Sequence, residues 1–281
     1  MKADNNYRPY AEKVLANYNL STECTPADNG VMNNVFLTKD VVVRMPRTTN
    51  NFSNFPGERW AIERAREQGV PAPLIIAVDT SNSLVPVHYM VTERLPGRQV
   101  NESTPEMCRA VGEMLSRIHK VKTVGYSRLD ENGTGIKADW SANISAKRSI
   151  LPELAKIDAS LAKRAESVYD DLEKLPQQPC LVHGDYGLHN MLFSEGKLTG
   201  IFDFSGKSDS SYYDIGDILL RAPDVIAHVE KGYGKSFDYH LALLYAAANA
   251  SGKLPFMHKM LPEFASRVQK GLDETLKKLG K

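Results

Sequence analysis

The chain changes character after about residue 95. Before this point, short runs of β-branched and apolar residues are separated by turn signals, whereas helical spacing of apolar residues prevails after it. The run VFLTKDVVVRM, broken in its middle by Lys-Asp, predicts a β-hairpin over residues 35–45. The segment GERWAIERAREQ predicts a helix over 57–68 that ends at Gly69, because the VPAP that follows cannot continue it. Two further strands are predicted at LIIAVD and HYMVTERL.

The order strand, strand, helix, strand, strand describes a small sheet with one main helix packed on it, preceded by a helix at 7–18. After the connector LPGRQV, a helical region begins with Thr104 as its N-cap and Pro105 in its first turn. Further helical patterns cover roughly 142–175, 214–221, 236–250 and 258–279. Strands are expected to interrupt these helices only around 181–203. We therefore expect an α+β chain of two lobes, residues 1–95 and 96–281.

Composition excludes several classes of protein. With 281 residues, 42% of them hydrophobic, the chain can furnish a full core. Its formal net charge of +1 gives no broad field that would attract nucleic acid or an anionic membrane. Three scattered cysteines without CxxC spacing favour a reducing compartment, and no signal peptide or run of about 18 apolar residues is present. We expect a cytoplasmic protein, a monomer or small homo-oligomer, that binds neither nucleic acid nor membrane.

Polar side chains interrupt two apolar runs in LVHGDYGLHNMLFSEGKLTGIFD at 181–203. Asp185 follows the first run, Asn190 comes shortly after it, and Asp203 ends the next predicted strand. Taken singly, each is more often a turn former or a cap. Together and in this order, they match the base and the two magnesium ligands that phosphoryl transfer from a nucleotide requires. Oxygen ligands, rather than nitrogen or sulfur, favour Mg2+.

The segments HGDYGLHN, GIFDF and SSYYDIGDILL closely resemble the signature of the aminoglycoside phosphotransferase and choline kinase-like family, small-molecule kinases that share the protein-kinase fold. The resemblance implies a bilobal fold, with a small antiparallel sheet and one main packed helix in the N-terminal lobe and a larger, mainly helical C-terminal lobe. It implies that Asp185 is the catalytic base and that Asn190 and Asp203 bind Mg2+. His183 would brace the catalytic loop, and Asp214 would help to hold it.

The sequence departs from the protein-kinase pattern directly after Asp203, the second of the implied metal ligands. Protein kinases carry DFG where this chain has Asp203-Phe204-Ser205. The metal ligand is kept, but a flip of this loop that depends on glycine is not expected. His189 is interpreted as a polar loop residue rather than a metal ligand, since no second histidine is near it in the sequence.

A kinase-like nucleotide site also needs a cation on a strand and an acid on a helix to orient it. In VVVRMP the cation is Arg44, where the family usually has Lys, and Glu58 is its expected partner. A solvated surface pair is the alternative for Glu58. The loop TPADNGVMNNVF lies where a phosphate-covering turn belongs, with Gly30, Asn33 and Asn34 as candidates, although Asn-Gly is more often only a turn.

The segment HYMVTERLPG resembles the link between the lobes in this family. The resemblance places the contact with the nucleotide base at main-chain groups of Glu93 and Arg94. An edge strand that runs into a turn at Pro96 is compatible with the same residues. Mg2+, with ATP or GTP as phosphoryl donor, is the implied cofactor set.

The resemblance implies a magnesium-dependent phosphotransferase that moves the γ-phosphoryl group of a nucleoside triphosphate to a hydroxyl of a small molecule. The acceptor is left open between an antibiotic, such as an aminoglycoside or a macrolide, and a metabolite alcohol. A catalytically weak or silent nucleotide-binding regulatory protein of the same fold is the alternative, because of Arg44 and the absent DFG glycine. A protein kinase would carry HRD rather than HGD, and a purely structural interaction protein would use the acids as caps.

The acceptor site would lie in the helical lobe, near Asp185. Acids in that region are interpreted as solvated helix faces, which is what most such acids form. They are Asp139, Glu153, Asp158 and Glu166. Trp140 either stacks on a ligand or anchors its helix.

Overall fold

The fold is taken from a computed structural model, which describes residues 3–28, 30–47 and 53–281. Asn29, which belongs to the predicted phosphate-covering loop, lies outside the described residues. Five antiparallel strands form the N-terminal sheet, in the order β1-β2-β3-β5-β4. They are Thr25–Pro26 (β1), Asn33–Leu37 (β2), Val41–Pro46 (β3), Ile75–Asp79 (β4) and Tyr89–Glu93 (β5).

The predicted hairpin is formed by β2 and β3. Thr38 shapes its turn, because its Oγ1 accepts the amide hydrogens of Asp40 and Val41 at 3.2 and 3.0 Å. Side chains of β3 alternate between the two faces of the sheet. Val43 is fully buried on one face, whereas Arg44 points to the other. The hairpin thus places a cation on the face of the sheet opposite that of Val43.

Each face of the sheet is covered by a helix. Arg8–Asn17 (α1) packs its buried residues against the face that carries Val43. Phe55–Glu67 (α2) packs on the opposite face and ends before Gly69, whose φ of +74° is the left-handed conformation that glycine adopts without strain. The prediction of one main packed helix is confirmed for α2, which begins two residues earlier than predicted.

The rest of the chain is mainly helical. Its helices are Pro105–His119 (α3), Trp140–Arg148 (α4), Leu151–Ile157 (α5), Ala159–Glu173 (α6), Tyr212–Arg221 (α7), Ile226–Tyr233 (α8), Tyr239–Met260 (α9) and Pro262–Lys278 (α10). Its strands are Tyr126–Leu129 (β6), Gly135–Lys137 (β7), Cys180–Val182 (β8), Met191–Ser194 (β9), Lys197–Ile201 (β10) and Lys207–Asp209 (β11). Strands β9 and β10 form a hairpin, and the other four form a sheet in the order β7-β6-β11-β8.

Several predictions for this half are wrong in detail. The hairpin of β6 and β7 was not expected, because its strands are short and bounded by glycines. The helical pattern at 142–175 is divided into three helices, and α8 was missed. Helix α9 runs past its predicted end at residue 250 and through Pro255, which lacks an amide hydrogen and is normally a helix breaker.

The two halves share one apolar core. Phe55 of α2, Met90 of β5, Tyr186 and Phe204 are all buried in it. The connector that follows β5 pairs with β9, since Arg98 and Phe193 exchange two backbone hydrogen bonds of 3.0 and 2.8 Å. The boundary between residues 95 and 96 stays a prediction. No helix within the described ranges combines the length and the apolar character that a bilayer crossing requires.

Candidate active site

The loop after β8 is fixed by a buried carboxylate. Asp214, in the first turn of α7, accepts the amide hydrogen of His183 at 2.8 Å and that of Gly184 at 2.9 Å. Its Oδ2 also lies 3.1 Å from Nε2 of His119. Burial raises the pKa of Asp214, but the hydrogen bond and charge of His119 outweigh it, so the pKa is lowered overall. The prediction that Asp214 lies against this loop is therefore confirmed.

His183 joins this loop to the end of β10. Its Nδ1 lies 3.3 Å from the amide nitrogen of Asp185, and its Nε2 lies 2.9 Å from the carbonyl oxygen of Phe202. The amide donates to Nδ1, so the neutral ring carries its proton on Nε2 and donates it to Phe202. Full burial lowers the pKa of His183, which favours this neutral form.

Asp185 is partly exposed, and both of its carboxylate oxygens have partners. Its Oδ2 is 2.9 Å from Nε2 of His189 and 3.1 Å from Nδ2 of Asn190. Its Oδ1 accepts a hydrogen bond from Arg221 and lies 3.7 Å from Nζ of Lys253. Burial raises the pKa of Asp185, but the hydrogen bond of His189 and the charges of Arg221 and Lys253 lower it well below its ordinary value. The carboxylate is therefore ionised at neutral pH.

Asn190 directly precedes β9, and Asp203 follows the end of β10 by two residues. The amide of Phe202 donates to the carbonyl oxygen of Asn190 at 3.0 Å, which brings the two predicted metal ligands to the same end of β9 and β10. Nδ2 of Asn190 donates to the carbonyl oxygen of Asp185 at 3.0 Å as well as to its carboxylate. The nitrogen of this amide is thus committed to the loop, and its oxygen is the atom left for a cation.

Asp203 has an unusual backbone conformation for an aspartate. Its φ is +64°, in the left-handed region that non-glycine residues rarely occupy. Its side chain is 53% exposed, and its Oδ1 accepts a hydrogen bond of 2.7 Å from Nη2 of Arg44. Ser205, where a DFG motif has glycine, has a negative φ, whereas Gly206 takes a φ of +58° against the backbone of Gly57. The glycine with a left-handed conformation thus comes one residue after the position of the DFG glycine.

The donor atoms at this end of the hairpin fit magnesium. The amide oxygen of Asn190 and the Oδ2 of Asp203 are hard oxygen donors, the type that Mg2+ prefers. Among the residues that the structure describes, no group of three or more His, Cys, Asp or Glu side chains is arranged to hold a metal. Two protein ligands with the remainder supplied by phosphates and water is the usual arrangement for Mg2+ in a nucleotide site.

Arg44 and Glu58 form the predicted pair. Nη1 of Arg44 donates to Oε2 of Glu58 at 2.8 Å, and the side chains are 13% and 8% exposed. The pair is therefore buried, and the alternative of a solvated surface pair is wrong. Burial raises the pKa of Glu58, and the nearby Asp203 adds to this, while Arg44 opposes it. Burial lowers the pKa of Arg44, but both carboxylates outweigh it, so the guanidinium stays charged.

The predicted phosphate-covering residues are only partly in a loop. Gly30 lies between β1 and β2, as expected, but Asn33 and Asn34 belong to β2 and are buried. Oδ1 of Asn33 accepts the hydroxyl of Ser53 at 2.6 Å, and Oδ1 of Asn34 accepts the amide hydrogen of Asp4 at 2.9 Å. This corrects the predicted position of both asparagines, whose side chains support the sheet from within.

The main-chain amides of Glu93 and Arg94 are already paired. That of Glu93 donates to the carbonyl oxygen of Leu74 at 2.9 Å, and that of Arg94 donates to the carbonyl oxygen of Asp40 at 2.8 Å. A nucleotide base at this link would use carbonyl groups of these residues or main-chain groups farther along the connector. The predicted contact at Glu93 and Arg94 is thereby restricted to acceptor atoms.

Three charged residues of the site were missed by sequence reasoning. Asp217 is fully buried in α7 and forms ion pairs with Arg221 and with Lys253 of α9. The spacing of Asp217 and Arg221 is that of an i,i+4 helical pair, which was a usable signal. No local pattern points to Lys253. His189 lies in a single 3-10 turn, Leu188–Asn190, and its contact with Asp185 was not foreseen.

Comparison with known proteins gives a consistent result. The model of a family described as "Phosphotransferase enzyme family" matches residues 23–245. A homoserine kinase of Polaromonas naphthalenivorans is 30% identical over 182 residues, which cover 60% of this chain and 54% of the relative. The hygromycin-B 4-O-kinase of Escherichia coli is 22% identical over 194 residues, with 63% and 55% covered. The chain thus spans about half the length of the curated relatives that it matches.

Solved structures share the fold over nearly the whole chain. A thermostable mutant of aminoglycoside phosphotransferase APH(4)-Ia, in complex with ADP and hygromycin B, aligns with a TM-score of 0.75 at 16% identity, covering 95% of this chain and 97% of that one. The GDP complex of aminoglycoside 2'-phosphotransferase-IIIa aligns with a TM-score of 0.71 at 16% identity, covering 97% and 99%. These likenesses confirm the predicted bilobal, protein-kinase-like fold.

Proposed function

Because the chain belongs to the phosphotransferase enzyme family, we propose that it is a small-molecule kinase that moves the γ-phosphoryl group of a nucleoside triphosphate to a hydroxyl of a small acceptor. The observation that carries this proposal is the position of Asp185. An ionised carboxylate lies on a rigid loop and is fixed by Asn190, whose free oxygen lies at the same hairpin end as Asp203. This combination supports phosphoryl transfer better than binding alone.

In the proposed reaction, Asp185 orients the acceptor hydroxyl and takes its proton as the phosphoryl group moves. The low pKa of this carboxylate makes it a weak base, so its main effect is to align the hydroxyl while the bond to phosphorus forms. Asn190 and His189 restrict the rotation of the carboxylate, since both contact its Oδ2. The hydroxyl would approach Oδ1, where Arg221 and Lys253 now lie.

Asn190 and Asp203 would hold Mg2+, which when bound neutralises the charge of the nucleotide phosphates. Arg44 has one guanidinium nitrogen on Glu58 and another on Asp203. Phosphate oxygens would compete with Asp203 for the second nitrogen, while Glu58 keeps the first in place. Arginine suits this double contact, because its planar guanidinium binds two acceptors at once.

Neither the phosphoryl donor nor the acceptor is narrowed to a single compound. Fold relatives hold ADP in one case and GDP in another, so ATP and GTP are both candidate donors. Curated relatives include homoserine kinases and a hygromycin-B kinase, which makes a metabolite alcohol and an antibiotic both candidate acceptors. The biological role is correspondingly either metabolism or antibiotic resistance.

A phosphorylation screen tests the proposal. The purified chain is incubated with Mg2+, ATP or GTP, and a panel of aminoglycosides, macrolides, sugars and amino-acid alcohols, and products are read by mass. A gain of one phosphoryl group on an acceptor, lost in Asp185→Asn, is the expected result. Nucleotide binding in a thermal-shift assay without any phosphorylated product would instead support the silent regulatory alternative.

A further inference from the structure

An arginine bridges the predicted catalytic base and a buried carboxylate. Arg221 is the last residue of α7, and its side chain is 31% exposed. Its Nη2 donates to Oδ1 of Asp185 and lies 3.2 Å from Oδ2 of the fully buried Asp217. Its Nη1 lies 3.4 Å from Nε2 of His189. The guanidinium therefore reaches from Oδ1 of the catalytic carboxylate to the residue that directly precedes Asn190.

The guanidinium has a second acceptor beside the one that it uses. Two carboxylates, those of Asp185 and Asp217, meet the two cations Arg221 and Lys253, so their four charges balance. Oδ1 of Asp217 accepts a hydrogen bond from Lys253, whereas its Oδ2 accepts none from any residue that the structure describes. A buried carboxylate oxygen normally has a hydrogen-bond partner. Arg221 can therefore bind this oxygen when it leaves Asp185.

The proposed reaction requires Arg221 to leave Oδ1 of Asp185, because the acceptor hydroxyl approaches the same oxygen. A hydroxyl aligned by a carboxylate lies about 3 Å from it, and the phosphorus that it attacks lies about 3 to 3.5 Å farther on. The transferred group is thus within roughly 6 Å of the oxygen that Arg221 now contacts. With Nη2 turned to Asp217, the remaining N–H groups of the guanidinium are free to bind phosphoryl oxygens.

The catalytic loop supplies no lysine or arginine of its own for this contact. Between Asp185 and Asn190 it carries Tyr, Gly, Leu and His. Lys253 lies farther from Oδ1 of Asp185 than Arg221 does, at 3.7 Å, and its ammonium group is bound to Asp217. A guanidinium presents several N–H groups in one plane, so it can bind Asp217 and a phosphoryl oxygen at the same time. Arg221 is therefore the cation best placed at the end of the acceptor hydroxyl.

We propose that Arg221 is a catalytic residue that binds the transferring phosphoryl group, and that Asp217 positions its guanidinium for this contact. This inference rests on the proposed function, because it takes Asp185 as the base. The acceptor oxygen forms a bond to the γ-phosphorus while the bond from this phosphorus to the bridging oxygen breaks. The nucleoside diphosphate leaves with the electron pair, and the hydroxyl proton goes to Asp185. Arg221 binds the phosphoryl oxygens, over which the charge is spread during the transfer.

The test measures the binding of a transition-state analogue and needs no acceptor. ADP with Mg2+ is titrated calorimetrically with and without fluoroaluminate, which takes the place of the phosphoryl group in transfer, and AMP-PNP represents the ground state. GDP and GMP-PNP replace them if GTP is the donor. The variants are Arg221→Gln, Arg221→Lys, Asp217→Asn and Asp185→Asn. Arg8→Gln is the matched control, because Arg8 also forms an i,i+4 ion pair, with Glu12, at exposed positions of α1.

Fluoroaluminate should raise the affinity of the wild-type chain for ADP by about 10²-fold or more. Arg221→Gln should lose most of this gain and keep its affinity for AMP-PNP and for ADP alone within about threefold, because the contact forms only during transfer. Asp217→Asn and Arg221→Lys should lose part of the gain, and Arg8→Gln should match wild type. Asp185→Asn should keep the gain, because Arg221 binds the phosphoryl group directly. With an acceptor identified by the screen, Arg221→Gln should lower kcat by roughly 10³-fold or more.

The inference is overturned if the wild-type chain binds ADP without any gain from fluoroaluminate, or if Arg221→Gln keeps the gain. It is also overturned if Arg221→Gln weakens the binding of AMP-PNP as much as that of the analogue, which is what a purely structural arginine predicts. Loss of the gain in Asp185→Asn overturns it as well, since Arg221 would then act only through Asp185.

The failure of this inference can be told apart from that of the kinase proposal. A phosphorylated acceptor in the screen keeps the kinase proposal, whatever the role of Arg221. A chain that binds no nucleotide and yields no product refutes both. Urea unfolding without nucleotide shows which variants fold. If Arg221→Gln does not fold, Arg221→Lys decides, because it keeps a cation for Asp217: a loss of about tenfold or more of the gain supports the inference, and a full gain overturns it.

Discussion

Removal of the Arg44 guanidinium should strongly destabilise the protein. Arg44→Met leaves Glu58, whose side chain is 8% exposed, without its partner. Breaking a buried pair from one side costs about 3 to 5 kcal/mol, because the remaining charge is neither solvated nor paired. The contact with Asp203 adds little, since that carboxylate is 53% exposed. For a chain of 281 residues, the expected fall in Tm is roughly 5 to 9 °C.

The stability that is lost in Arg44→Met should depend on pH. Burial already raises the pKa of Glu58 in the intact protein, and loss of Arg44 removes the main opposing charge. A group whose folded-state pKa is raised contributes stability below its unfolded pKa and loses it as pH rises through the folded pKa. Arg44→Met should therefore be closest to wild type near pH 5 and farthest from it near pH 8.

Two further variants separate the charge from the contact. Arg44→Lys keeps a cation for Glu58 and should cost about 1 kcal/mol or less, the value of the lost contact with Asp203. Arg44→Met combined with Glu58→Gln should be more stable than Arg44→Met alone, because no unpaired charge remains buried. Thermal and urea unfolding at both pH values measure these differences. The reasoning would be refuted if Arg44→Met were as stable as wild type. It would also be refuted if the double variant were less stable than Arg44→Met alone.

Three other outcomes are expected. Asp185→Asn should lower kcat by about 10² to 10⁴ with nucleotide affinity unchanged, because only the alignment and deprotonation of the acceptor hydroxyl are affected. Turnover assays and calorimetric titration of AMP-PNP measure the two quantities. Unchanged turnover would contradict the assignment of Asp185. Asp214→Asn should cost about 2 to 3 kcal/mol at pH 7, since two amide hydrogens of the catalytic loop lose a charged acceptor. The pKa of Asp214 is lowered, so this contribution is present above about pH 4 and is lost as pH falls through its folded pKa; urea unfolding should show a smaller difference between wild type and variant near pH 3 than at pH 7. Chelation by EDTA should abolish turnover, and added Mg2+ should restore it; turnover that persists in excess EDTA would refute the metal assignment to Asn190 and Asp203.

The sequence predicts the parts of the site that are built from local patterns. The hairpin that carries Arg44, the helix that carries Glu58 and the loop that carries Asp185 each follow from spacing within about a dozen residues. Spacing along the chain does not predict that the pair of Arg44 and Glu58 is buried, because burial depends on how α2 packs against the sheet.

The acceptor side could not be predicted in the same way. Lys253 reaches Asp185 from α9, and its position depends on the packing of that helix against α7. Helix α9 also extends past residue 250, where the predicted helical pattern ended, and continues through Pro255 to Met260.

The bonds of Asp214 tie the catalytic loop to the hydrophobic interior of the helical lobe. Its carboxylate holds the amides of His183 and Gly184, and it does so from α7, whose Ile215 is buried in the core. These two amide hydrogens can exchange with solvent only when α7 separates from the loop, which exposes that core. They should therefore be among the slowest-exchanging amides of the chain, with protection close to that of the global unfolding reaction. The loop that carries Asp185 should therefore open no more readily than the hydrophobic core itself.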